Sequence, residues 1–304
     1  MSNRTTFAVV ILAALAGGAV LWQMHNRREV ARASAAVAVT TPQPAAAQEA
    51  RDGGAFESRE TPAPAADAAR QPVDKKKTSG VADAGSPLRA GETWQYSANV
   101  SKLNSVADLR LKVAERRNFL GKNAWHLQAF AHTENPLRMV FALDDQFDSY
   151  SDANTLVSMQ YEMHLNEKGQ TVDSVQRMSP AVREPAPENA IAARVLPGTR
   201  DPLGMMQYLR TVDWAKTPEV RSPVYDGHKL YDVHARLQAR GEAVTVPAGN
   251  FNTFKIELQV LDNGAEVKDA HFILYLSNTE ARLPVLLEAV MPFVVARVEL
   301  VKAE

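Results

Sequence analysis

From about residue 90 onward, apolar side chains fall on alternate positions in run after run. The cleanest is Leu156 to Leu165, where Val157, Met159, Tyr161, Met163 and Leu165 alternate with Ser158, Gln160, Glu162 and His164. A period of two puts one set on each face of a β-strand. The same alternation marks Thr93–Val100 (Trp94, Tyr96, Ala98, Val100), Asp108–Arg116 (Leu109, Leu111, Val113), Trp125–Ala131, Leu137–Leu143 (Leu137, Met139, Phe141, Leu143) and Tyr231–Ala239. Thr171–Met178, His271–Leu276 and two segments within Leu283–Leu300, broken near Pro292, extend the set. Gly241 to Val260 reads as a hairpin. Two β-rich arms flank Pro247-Ala248-Gly249-Asn250, and Phe254, Ile256, Leu258 and Val260 share one face of the second arm. Asn263-Gly264 is a tight-turn signal, and Gly121 and Gly169 mark two more turns.

One segment breaks the β grammar. After an irregular, proline-rich passage from Pro180 to Gly198, Asp201 stands as an N-cap and Pro202 suits the first helical position. Met205, Tyr208, Leu209 and Val212 then fall at helical spacing on one face. Pro218 and Pro223 prevent continuation. The expectation is a mainly β domain over residues 88–304: a strongly curved antiparallel sheet, or an open barrel, with one central helix tucked against it.

The N-terminal part follows different rules. Phe7–Trp22 is an uncharged apolar run, about 24 Å long as a helix and slightly short of a ~30 Å hydrocarbon core. Small residues suited to signal cleavage do not follow it directly, so residues 1–28 read as an uncleaved signal anchor, with cleavage and secretion as the alternative. Residues 29–87 are rich in Ala and Pro and poor in large apolar side chains, the composition of a disordered linker. As a coil it reaches roughly 40 Å. The expected arrangement is a membrane anchor with the C-terminal domain on the exported side.

Composition removes several function classes. The net charge is −1, which supplies no field for nucleic acid. There is no cysteine, which excludes a disulfide framework, a thiolate zinc site and a lipid-modified cysteine anchor. No nucleophile elbow, phosphate-binding glycine loop or His-Glu-x-x-His segment occurs. His126 and His132 share a strand face, but six residues along a strand is about 20 Å, too far for one metal. Asp144, Asp145 and Asp148 lack calcium-loop spacing and read as a solvated turn. No catalytic residue, metal ligand or cofactor site is expected, and the chain reads as a non-enzyme.

The covered face carries the more suggestive pattern. It is rich in Met and Ala beside aromatics, and Met adapts to irregular apolar shapes. Met139, Met159, Met163, Tyr208 and Tyr231 are candidate lining residues for an apolar ligand, with Arg210 as a candidate headgroup contact. The plainer reading is that these side chains pack against the helix and one another.

Five blocks together resemble a known family: GETWQY at 91–96, DPLGMMQYLR at 201–210, Asp226-Gly227 before Lys229 and Tyr231, GEAVTVPAGNFNTFKIEL at 241–258, and LYLSNTEARLPVLLEA at 274–289. They are similar to bacterial exported proteins catalogued as domain of unknown function 3108. The resemblance implies a bacterial, envelope-directed, β-rich protein with no assigned activity, so the expected address is the bacterial inner membrane, with the C-terminal domain in the periplasm. It carries over no catalytic residues. Three functional expectations follow: a membrane-tethered domain that binds or transfers a hydrophobic envelope component such as a lipid; a protein-interaction module scaffolding an envelope machine; or a hydrolase acting on envelope polymers.

Overall fold

The alternating runs form fourteen strands of one sheet in the computed structural model, which describes residues 86–140, 142–167, 169–178, 190–267, 271–290 and 295–304. In chain order these are β1 (Thr93–Val100), β2 (Leu103–Phe119), β3 (Lys122–Thr133), α1 (Leu137–Val140), β4 (Asp144–Asp152), β5 (Ser158–Glu167), β6 (Gln170–Arg177) and β7 (Ala190–Ala192). There follow α2 (Pro202–Thr211), β8 (Glu219–Tyr225), β9 (Leu230–Val246), β10 (Gly249–Asp262), β11 (Ala265–Glu266), β12 (His271–Ser277), β13 (Pro284–Val290) and β14 (Val295–Ala303). The spatial order is β7-β6-β5-β4-β3-β2-β1-β14-β13-β12-β10-β9-β8, with β11 on β10. Two meanders are thus zipped together by the first and last strands, and α2 links them in sequence. Pairing is antiparallel throughout except between β6 and β7.

Among the described residues no continuous ladder closes the sheet. Thr199 and Arg200 bridge the start of β5 to the edge strand β8 instead. Ser158 N–H donates to Thr199 O at 3.1 Å, Arg200 N–H donates to Pro223 O at 3.0 Å, and Tyr225 N–H donates to Arg200 O at 2.9 Å. The Arg200 side chain locks this seam by donating to Ser222 Oγ (2.8 Å) and Thr155 O (2.8 Å).

The covered face is the expected one. Trp94, Tyr96, Leu109, Leu111, Leu127, Ala129, Phe147, Tyr161, Met163, Ile256, Leu274 and Leu300 belong to one buried cluster. We call the end where β1 begins, beside Pro87 and Leu88, the linker end, and the end where β1 finishes the far end. The Gly241–Val260 stretch does more than form a hairpin. Register shifts at Thr253/Phe254 and Lys255/Ile256 bend it, with Gly241 at φ 79° opposite the first. Bulges of this kind sharpen strand bending. The tip therefore folds over the linker end, where Val244 and Val246 are buried and Ala248 N–H donates to Leu300 O at 3.0 Å.

Four expectations are corrected. Leu137–Leu143 is not a strand: α1 occupies Leu137–Val140, held by Arg138 N–H on Glu134 O (2.8 Å). Seven residues are too few for alternation alone to separate the two states. Asp144, Asp145 and Asp148 are not in a turn but in β4, and Asp145 and Asp148 are buried. That strand escapes a hydrophobic pattern because its inward positions include Ser149 and Ser151. The helix stops before Pro218 as expected, but β8 fills the stretch before Tyr231 where no strand is expected, and it contains Pro223, which an edge strand tolerates. β2 is also longer than Asp108–Arg116 at both ends. The expected anchor and linker lie outside the described residues. Among the described residues no helix is long and apolar enough to cross a membrane.

α2 begins as its sequence dictates, with Asp201 in extended geometry accepting from Gly204 N–H and Pro202 in the first turn. It is not merely amphipathic. Leu203, Gly204, Met205, Met206, Gln207, Leu209 and Arg210 are all buried, which spans every face of the helix. Gly204 permits the close approach at its start. A Cβ there would lie 2.9 Å from both Ser151 Oγ and Ser158 Oγ. Gly204→Ala is therefore expected to destabilise the fold by roughly 1–3 kcal/mol, despite alanine's better helix propensity. Urea denaturation checks this, and an unchanged or raised midpoint would refute the close-packing argument.

Candidate functional site

α2 is a strut across the linker end, pinned at both termini. At its start, Asp201 is fully buried. Its Oδ1 accepts from Gly204 N–H at 2.8 Å, and its Oδ2 accepts from the hydroxyls of Ser149 on β4 and Ser158 on β5. Ser158 Oγ in turn accepts from Asp201 N–H at 2.7 Å. Burial pushes the Asp201 carboxyl up, while these hydroxyl and backbone donors oppose it. At the other terminus Arg210 is 0% exposed. Its Nη1 donates to Glu92 Oε2 (3.1 Å) and Gln207 Oε1 (2.7 Å), and its Nη2 to Pro87 O (3.0 Å) and Ala281 O (2.8 Å). Nε also donates to Ala281 O, at 3.3 Å, and the guanidinium lies 4.4 Å from the Trp94 ring centroid.

The sequence-derived candidates land in different places. Met163 and Tyr231 are buried in the inward core, Met163 directly under Gly227, whereas Met159 is buried at the register shift between β4 and β5 and is not part of that core cluster. Tyr208 is half-buried beneath the Arg200 guanidinium, 3.7 Å from its ring centroid. Met139 is not with them: it stands 84% exposed on α1 at the far end. Arg210 has every N–H engaged inside the protein, so it has no donor left for a headgroup. Beside Met206, Tyr96 and Leu274 the interior leaves a void of about 10 Å³, the room of one water at most.

The outer face of β1–β6 is more organised than ordinary strand surface. Asp148 points outward yet is only 4% exposed. It is bonded to His126 Nε2 (2.6 Å) and accepts from Gln128 Nε2 (2.9 Å) and Gln146 Nε2 (2.7 Å). Burial pushes its carboxyl up, but the three partners outweigh this and hold it below its ordinary range. Tyr150 stacks between Phe119 and His126, with ring centroids 4.1 and 4.6 Å away. Toward the far end, a trough of about 480 Å³ crosses β1 to β4. One wall is Gln95, Arg110, Phe130 and Gln146, and the other is Asp108, His132 and Asp144. Arg138 Nη2 bonds Asp144 Oδ2 at 2.9 Å and holds that carboxyl low, and His132 bonds the same group. Burial, and then the charge of Glu134, push Asp108 up.

These imidazoles are tied to carboxylates of a neighbouring strand, which orients them but supplies no nucleophile. Among the described residues no three His, Asp or Glu side chains are placed to hold a metal ion. Sequence reasoning found the histidines but not their partners, because the pairings depend on register between strands. The signal that was available is parity: His126, Gln128, Phe130 and His132 all fall on the outward positions of one strand.

Comparison with solved structures finds distant likenesses. A β-barrel-like protein of domain of unknown function DUF1849 from Brucella abortus is 11% identical at a TM-score of 0.46, over 71% of this chain and 97% of that one. The hypothetical protein CT021 from Chlamydia trachomatis is 7% identical at a TM-score of 0.35, over 71% of this chain and 87% of the other. No curated protein matches the chain. The profile of one family covers residues 95–301, from β1 into β14 and so both meanders and the strut, and the chain belongs to that family, described as protein of unknown function (DUF3108).

Proposed function

We propose that this protein is a non-enzymatic module of the bacterial envelope, tethered to the inner membrane by residues 1–28 and working in the periplasm through its outer surface. The observation that carries this reading is the occupied interior. α2 crosses the linker end with both termini pinned, and the candidate lining residues Met159, Met163 and Tyr231 are buried. An acyl-chain carrier needs an apolar space of several hundred Å³, and the void beside Met206 is about 10 Å³. The scaffold therefore serves to hold the outer face and the far-end loops in fixed relation.

Native mass spectrometry tests this. The full chain is purified from membranes, and the domain is freed by a protease site placed within residues 29–87. The expected mass is that of the polypeptide alone. A stoichiometric apolar adduct would overturn the surface reading and restore the lipid carrier.

A further inference from the structure

Four of the six large hydrophobic residues that stand exposed among the described residues gather at one end of the sheet. They are Leu103 (52% exposed), Met139 (84%), Val290 (36%) and Val295 (40%). Register fixes the grouping. Val290 pairs directly with Val295, Val100 pairs with both Leu103 and Ala296, and Ser101 N–H donates to Val295 O at 2.8 Å. Met139 joins them through the loop after β3, where Glu134 N–H donates to Val106 O at 2.8 Å. The set spans β13, β14, β1, β2 and the end of β3, roughly 19 Å at the usual strand spacing. This is the far end, opposite Pro87 and the linker.

We propose that this rim is a lipid-docking surface, and that its apolar side chains enter the interfacial region of a bilayer. Their placement favours lipid over a folded protein partner. The side chains sit on separate loops and strand ends, between polar neighbours such as Lys102, Glu134 and Arg138. Separate aliphatic tips on a rigid frame suit a fluid apolar layer, which adapts to each one. The chain outside the described residues supplies the occupant. Its apolar run, Phe7–Trp22, predicts an anchor, and the linker keeps a bilayer within reach, so a weak contact is sufficient. The inference rests on the surface-acting reading above. The linker joins the opposite end, and its reach of roughly 40 Å lets the domain turn over so that the rim meets the chain's own membrane.

The protein has no cysteine, so single reporters can be placed in the full chain. Leu103→Cys, Met139→Cys, Val290→Cys and Val295→Cys would each carry an environment-sensitive fluorophore, in protein reconstituted into proteoliposomes. Lys216→Cys, at an 84% exposed side chain near the linker end, is the control. A lipid-confined quencher goes either into the same vesicles or into added protein-free vesicles. The expected result is quenching at all four rim positions and none at the control. Quenching from the same vesicles supports docking on the chain's own membrane, and quenching only from added vesicles would overturn that assignment. Solvent-like emission at the rim in both arms would overturn the proposal, and would leave the occupied-interior reading standing. Combining Leu103→Asn, Met139→Gln, Val290→Asn and Val295→Asn should abolish contact of the domain with lipid, read by a reporter at exposed Ser101→Cys, while its melting temperature stays unchanged. Retained quenching in that variant would also overturn the proposal.

Discussion

Replacing Arg210 with alanine is expected to lower stability by roughly 3–5 kcal/mol, a large part of the total for a domain of this size. The guanidinium is 0% exposed and ties Glu92, Gln207, Pro87 O and Ala281 O to the end of α2. Its removal leaves the Glu92 carboxylate without its charge partner and two carbonyls without donors in a water-poor site. It also leaves a void against Trp94, over which the guanidinium lies at 4.4 Å. Urea denaturation of wild type and Arg210→Ala checks the figure. Arg210→Lys should fall between them, since a single ammonium cannot reproduce the planar fork. Pairing Arg210→Met with Glu92→Leu should recover part of the loss by removing the orphaned charge, but not all, because Pro87 O and Ala281 O stay unpaired. A change below about 1 kcal/mol in Arg210→Ala would show that this buried network does not hold the end of α2.

The second large effect is a pH dependence centred on Asp145. This carboxyl is 3% exposed on the inward side of β4, and Asn166 N–H donates to its Oδ1 at 2.8 Å. Burial pushes it from 3.8 up to about 7, with the Asn166 bond opposing and the charge of Asp144 adding to the rise. The sign follows from proton counting. Below about 4 the group is neutral in folded and unfolded chains alike and contributes nothing. Between about 4 and 7 the unfolded chain releases the proton while the folded one keeps it, so stability falls as pH rises. Above 7 both are ionised and the penalty is complete. At about 1.4 kcal/mol per unit, the loss across the window is about 2–4 kcal/mol after relaxation of the site. Asp145→Asn should flatten this slope and be the more stable protein near pH 8. Chemical denaturation of both proteins at several pH values across the window checks this. Parallel profiles for the two would exclude Asp145 as the source.

The strand repeat and the strut were legible in the sequence because both are local. Alternation at Val157 to Leu165 reports one wet and one covered face whatever the neighbours are, and β5 carries that pattern. Asp201, Pro202 and the spacing of Met205, Leu209 and Val212 likewise suffice for α2. Where a residue's partner is distant, the pattern misleads. Ser149 and Ser151 spoil the alternation of β4 because they face the carboxylate of Asp201 and its serine partners, some fifty positions away. Arg210 looked available for a ligand because nothing nearby in sequence shows Pro87, Glu92 and Ala281 closing around it. Met139 looked like part of an apolar lining because a short alternating run does not separate a strand from the single helical turn of α1.

The class of fold, the place of the helix and the family were therefore legible from the sequence. Each depends on the order and period of side chains along the chain, which need no partner to be read. The tertiary structure alone decided that the two meanders zip through β1 and β14, that the bent β9–β10 hairpin covers the linker end, and that the helix occupies the interior beside it. It also decided which face carries the His–carboxylate pairs and which end carries the apolar rim. Those are properties of register and curvature, set by contacts between residues as far apart as Trp94 and Ala303, where no local pattern reaches.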